Sequence, residues 1–177
     1  EFDIKPEDIK EITVNMSREG MVAVFTPLSE KQNPKNVVDA QFSTPWTVAW
    51  ALVYGSVGIE AFKPEAICDE KVLDLSRRIN PVPDDSLSQL GVSPTIVNIA
   101  TKNGQNYTQK IEIAYGSPEN PMTMQDMANK LKACAANADG DFSNTEIDEL
   151  SSMCMNLEDL NDVRAITRSL SAPKVWS

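Results

Sequence analysis

The run NADGDFSNTEID, residues 137–148, sets oxygen-bearing side chains at the spacing of a calcium-binding loop. Asn137, Asp139 and Asp141 stand at its positions one, three and five, and Asp148 at position twelve. The details argue against it. Position six, where glycine permits a sharp turn, is Phe142; position eight, ordinarily apolar, is Asn144; and Asp148 replaces the longer bidentate glutamate. The favoured reading is a polar connection between helices, capped by Asn144 or Thr145, and no metal is expected. Lys102-Asn103-Gly104 could reach an anion through an ammonium group and turn amides, but the same residues make an ordinary hairpin tip. Arg77-Arg78, at a helix end, complement the helix dipole more simply than they bind a carboxylate. In DAQFSTPW, residues 39–46, the polar groups of Gln41, Ser43 and Trp46 gather where a helix begins. Either they line a site, or they belong to a buried helix with a good N-terminus.

The sequence contains no histidine, the side chain that most often serves as general base or metal ligand near neutral pH. Chemistry would fall to carboxylates, lysine or tyrosine, or the chain is part of something larger. No Walker, GxGxxG, GxSxG or HExxH pattern occurs. The formal net charge of −10, from 26 acidic against 16 basic residues, excludes a nucleic-acid partner, which needs a basic footprint. No apolar run approaches the roughly 18 residues of a membrane span, and EFDIKPEDIKE has neither the basic nor the apolar region of a leader, so a cytoplasmic location is expected. Three cysteines without CxxC spacing suggest reduced thiols, ordinarily small buried side chains.

The elements that must position these residues follow from patterning. IKEITVNM, residues 9–16, fits a strand with Ile12 and Val14 on one face, and MVAVFT, residues 21–26, reads as a second. Residues 27–34 should be loop. Ser43 or Thr44 can cap a helix over 45–54, Pro45 suits its first turn and Gly55 its left-handed end. Its nearly all-round apolarity says that it is buried. A further helix is expected within 62–79 behind Asp69, and 80–94, rich in Pro, Asp and Ser, reads as a connection. Residues 94–115 alternate about Asn103-Gly104 as a hairpin. Helices follow from 122, capped by Thr123 with Asp126, and over 145–155 and 158–170. The fold class is α+β: a two-layer domain of sheet and helices, then a helical tail. Met124, Met127, Leu131, Ile147, Leu150, Met153, Met155, Leu157, Leu160, Val163, Ile166 and Leu170 stripe that tail with apolar positions which a layer of about 120 residues can do without. Self-association through the tail, as a homodimer, is one expected outcome.

Four pieces in order, PEDIKEITV (6–14), DAQFSTPWTVAWALVYGSVGIEAF (39–62), 72–79 with the prolines after it, and GSPENPMTMQDMANKLKACA (116–135), resemble the C-terminal part of the MmgE/PrpD family. That family includes 2-methylcitrate dehydratase, cis-aconitate decarboxylase and an iminodisuccinate epimerase. The resemblance implies an α+β lid over residues 1–122 and returning helices over 123–177. These helices would pack on an all-helical domain outside this chain, which carries most of the catalytic side chains. It implies cofactor-independent chemistry on small di- or tricarboxylates such as 2-methylcitrate, and so a part in propionate metabolism. It also implies that Gln41, Ser43 and Trp46 face the substrate cleft, with Trp46 partly exposed, and it places no catalytic residue within this chain. Trp46 stands where the family often has tyrosine; an indole offers an N–H donor but no hydroxyl acid. The competing reading is a free-standing, non-catalytic binding or assembly module that pairs with a separate helical subunit.

Overall fold

The computed structural model describes residues 3–88, 94–138, 140 and 142–171. The chain divides into two compact units, Glu1–Asn120 and Pro121–Ser177. It is an α+β chain: a four-stranded mixed sheet with helices, then C-terminal helices. Among the described residues no helix is long and apolar enough to cross a membrane.

The first unit runs β1 (Ile9–Met16), α1 (Arg18–Phe25), α2 (Leu28–Lys31), α3 (Val37–Gln41), α4 (Thr44–Tyr54), α5 (Glu70–Ser76), β2 (Ile79–Pro83), β3 (Thr95–Thr101) and β4 (Asn106–Ile111). The strand order is β2-β1-β3-β4, with β2 parallel to β1 and the other pairs antiparallel. The strand expected over 9–16 and the hairpin about Gly104 are present, Gly104 supplying the positive φ of its turn. Both Ile9 and Ile12 are fully buried although three residues apart, which strict alternation forbids. A bulge between Ile9 and Glu11 resolves it, shifting the register against β3 by one residue.

Two expectations are overturned. MVAVFT is not a strand; it lies mostly in α1, whose start is capped by the Ser17 hydroxyl accepting the Gly20 amide. Both edges of β1 are already occupied, by β2 and β3, so the run has no place beside it. Met21, Val24 and Phe25, at helical spacing, join the core, while Val22 stays exposed. Residues 80–83 are not a connection but the body of β2. The amide of Ile12 donates to Arg78 and that of Asp84 to Met16, so even-numbered residues of β2 face β1. Pro81 and Pro83 occupy the outward positions, where a missing N–H costs the ladder nothing. Likewise 27–34 is not all loop, since α2 lies within it.

One sheet face, with Ile12, Val14, Ile79, Val97 and Ile99, packs into a core with Trp46, Ala49 and Trp50 of α4 and Val72, Leu73 and Leu75 of α5. The other face carries a polar network at Thr13, Asn15 and Asn98, flanked by Val82 and Ile96. Asn98 donates to Thr13 at 3.2 Å and to Asn15 at 3.0 Å, and accepts from Thr108 at 2.8 Å.

The second unit comprises α6 (Met124–Ala136), α7 (Asn144–Met155) and α8 (Arg164–Leu170). Thr123 and Asp126 form the expected capping box, and Ser143 with Glu146 forms another, so the cap of α7 is Ser143 rather than Asn144 or Thr145. The helix expected over 158–170 shortens to α8 after a 3-10 turn at Leu157–Asp159. Asp139 and Asp141 of the calcium-like run lie outside the described residues, and Asp148 is engaged by Lys132 at 2.7 Å. Ile147 and Leu150 are buried, whereas Met124, Met127, Met155, Leu157, Val163 and Leu170 remain exposed. Cys68, Cys134 and Cys154 are free and exposed rather than buried.

Ser76, fully buried in α5, has a hydroxyl without a hydrogen-bond partner among the described residues. Because an unsatisfied buried hydroxyl costs about 1–3 kcal/mol, Ser76→Ala should raise stability by about 1 kcal/mol in urea unfolding. A loss of that size would contradict it.

Candidate functional site

The corner between α3 and α4 is built by two caps. Asn36 accepts the Asp39 amide at 2.9 Å and starts α3. The Ser43 hydroxyl accepts the Trp46 amide at 3.0 Å and donates to the Lys31 carbonyl at 2.5 Å, so one side chain opens α4 and ties it to the end of α2. Thr47 donates its hydroxyl to the Ser43 carbonyl at 3.0 Å. At the far end Gly55 takes φ 85° and its amide returns to Ala51.

The structure separates the three residues singled out by sequence. Gln41 is exposed at the end of α3, whereas Ser43 and Trp46 are buried. Trp46, expected to be partly exposed, is 0% exposed, and its indole N–H donates to the Ala61 carbonyl at 3.0 Å. The reason is the apolar circumference of α4. Its first turn must be covered as well as its middle, and the 3-10 turn Ile59–Phe62 does so while offering the indole an acceptor. Ser43 and Trp46 therefore hold the corner, and Gln41 presents itself from it. Beside Gln41 stand Val38, 60% exposed, and Phe42, 55% exposed. An apolar pair at i and i+4 reads from sequence as core; only the shortness of α3 hints otherwise.

Trp46, Trp50 and Tyr54 form an aromatic file along α4, with ring centroids 5.8 Å and then 4.5 Å apart. The file ends in a hydrogen bond from the Tyr54 hydroxyl to Asp69, which also caps α5 by accepting the amides of Lys71 and Val72. That bond and the adjacent charge push the Tyr54 phenol up. Partial burial pulls the Asp69 carboxyl upward, but the Tyr54 hydroxyl and the two amides outweigh it and leave the group lowered.

The basic residues of interest are engaged within the fold. Arg77 donates to Asn33 at 2.7 Å, and Arg78 donates to the Ile9 carbonyl at 2.7 Å and pairs with Asp74. They join elements distant in sequence rather than merely complementing a helix dipole. Lys102, at the hairpin tip, donates to the Glu7 carbonyl at 2.6 Å. Among the described residues no three His, Cys, Asp or Glu side chains converge as a metal site would require.

Residues 1–153 match the family described as the MmgE/PrpD C-terminal domain. The chain belongs to the MmgE/PrpD family. It is 24% identical over 143 residues to the cis-aconitate decarboxylase of Mus musculus, covering 80% of this chain and 29% of that protein. Against the cis-aconitate decarboxylase of Homo sapiens it is 24% identical over 141 residues, covering 79% and 29% respectively. The chain thus spans about three-tenths of the length of these relatives. As an MmgE/PrpD C-terminal domain, it fixes the Gln41 corner through buried hydrogen bonds and leaves Gln41, Phe42 and Val38 facing outward.

Trp46→Phe deletes the N–H and leaves both the Ala61 carbonyl and a void in the core. It should cost about 2–3 kcal/mol in denaturant unfolding, and a loss below 0.5 would contradict the buried role. The Tyr54–Asp69 bond predicts a pH signature. The lowered Asp69 contributes stability above its unfolded pKa, near 4, lost as pH falls through the folded value; the raised Tyr54 contributes below about 10, lost as pH rises through its folded value. The stability difference between wild type and Tyr54→Phe should be flat from about pH 5 to 9 and shrink at both extremes. A difference independent of pH would contradict it.

Proposed function

We propose that this chain is the lid portion of a cofactor-independent lyase or isomerase acting on small di- or tricarboxylates. The reaction is abstraction of a proton from carbon beside a carboxylate, completed by loss of water, loss of CO2 or reprotonation. The observation that carries the reading is the family match over residues 1–153 together with the likeness to two cis-aconitate decarboxylases. The base and acid come from a helical catalytic domain. This chain has no histidine, and its part is to close over the substrate and keep water out.

Within that reading the Gln41 corner faces the cleft. The Gln41 amide can accept from and donate to a substrate carboxyl or hydroxyl, while Phe42 and Val38 displace water around it. Ser43 and Trp46 act one layer back, by fixing the backbone from which Gln41 projects. The exposed methionines and leucines of α6 to α8 supply the apolar face by which the returning helices seat on the helical domain.

The 177-residue chain alone should give no product from cis-aconitate or 2-methylcitrate, because losing a positioned acid or base costs about 100- to 10,000-fold. Joined to an MmgE/PrpD helical domain it should restore turnover. In that assembly Gln41→Ala should lower kcat/KM by about tenfold, as loss of a polar contact to a charged group does. Turnover by the chain alone, or full activity of the assembly without residues 1–120, would sink the lid role.

A further inference from the structure

We propose that the first unit also carries a binding site for a small organic monocarboxylate, at the end of α4 opposite Gln41. A groove of about 490 Å3 opens between α5, the turn that precedes β1 and the β3–β4 tip. That volume falls within the roughly 300–1,000 Å3 of small-molecule sites. The eleven residues of α4 place its two ends about 15 Å apart, so the groove is separate from the Gln41 corner. The proposal does not rest on the lid reading.

The charge in the groove runs against the rest of the chain. Acidic residues outnumber basic ones 26 to 16 overall, yet the groove gathers Lys71, Arg78 and Lys102 against Glu7 and Asp74. Asp74 is paired with Arg78, whose guanidinium also holds the Ile9 carbonyl, so these two charges offset each other at the wall. Lys102 uses one N–H on the Glu7 carbonyl and keeps two. The exposed Lys71 ammonium makes no hydrogen bond or ion pair among the described residues. Two ammonium groups thus have donors to offer, and with Glu7 beside them the groove carries a single net positive charge. One carboxylate satisfies it. Pro6, Val53 and Leu75 supply an apolar lining that a compact inorganic anion would leave wet but a short hydrocarbon body would cover. Lys71 and Leu75 lie one helical turn apart on α5, so head group and body are read from one rigid face.

The test is a titration of the isotope-labelled 177-residue chain with sodium isovalerate at constant ionic strength, followed through backbone amide resonances. Saturable shifts are expected at 71–78 and 102–104, with none at Gln41. Lys71→Glu, on an exposed side chain with no hydrogen bond or ion pair among the described residues, should keep the circular dichroism spectrum and weaken binding about tenfold or more. Lys130→Glu on α6 should leave binding unchanged. Linear shifts without saturation, saturable shifts that survive Lys71→Glu, or equal saturable shifts with inorganic phosphate would each overturn the site. Any of these outcomes leaves the lid reading standing, since turnover tests that one.

Discussion

The structure of the first unit depends on one constraint, that α4 is apolar nearly all round and every side of it must be covered. Trp46, Ala49 and Trp50 are buried, and Val48, Leu52 and Val53 pack partly against the same core. A helix of this kind cannot lie on a sheet with one flank in water, as an amphipathic helix does. The sheet covers one side, α5 another, and the short helices and 3-10 turns of 27–68 wrap the remainder. Those short elements make sense as covering. None is long enough to be stable alone, and several are held by a cap or a borrowed carbonyl, Asn36 to Asp39, Ser43 to Lys31 and Trp46 to Ala61 among them.

The same constraint explains which parts of the structure were legible in the sequence. The α4 helix, the hairpin and the α6 cap were readable, because each is specified by local chemistry: Ser-Thr-Pro before an apolar run, Asn-Gly between alternating residues, Thr123 three before Asp126. α1 and β2 were not. MVAVFT has strand propensity, but its fate is decided by which edges of β1 are free, a fact that no window of six residues contains. β2 was hidden by its prolines, which mark a connection unless the strand's outward face is known. Trp46 was misjudged for a related reason. The resemblance implied an outward-facing helix start, but whether an indole points out or in depends on Ala61, fifteen residues further on. Gln41 kept its exposure; Phe42 and Val38 had no signal of their own.

In the first unit the buried polar atoms are largely consumed by architecture: Ser43, Trp46 and Thr101 are each satisfied by backbone or neighbouring side chains. A site meant to move protons needs groups left free and shifted toward neutrality. The lowered carboxyls of this unit, Asp69 and Glu112, are held down by the Tyr54 hydroxyl with the capped amides and by Lys110 respectively, away from neutrality. In the second unit α6 and α7 start in capping boxes, α8 has no side-chain cap, and Met124, Met127, Met155, Leu157, Val163 and Leu170 are exposed.

The outward prolines of β2 have a consequence for how such a unit behaves among its own kind. An open sheet grows by accepting another strand along a row of free amides, and that growth is how lids and edge-bearing domains aggregate or swap. On the β2 side the donors at 81 and 83 do not exist, and the outward carbonyl of Ile79 is already occupied by the Gln32 amide at 2.9 Å. The opposite edge, β4, carries Lys110, ion-paired with Glu112 at 2.6 Å, so charged rather than apolar side chains meet an incoming strand. The sheet is closed to extension on one side by covalent structure and discouraged on the other by charge, so copies crowded together in a cell are steered away from pairing strand to strand.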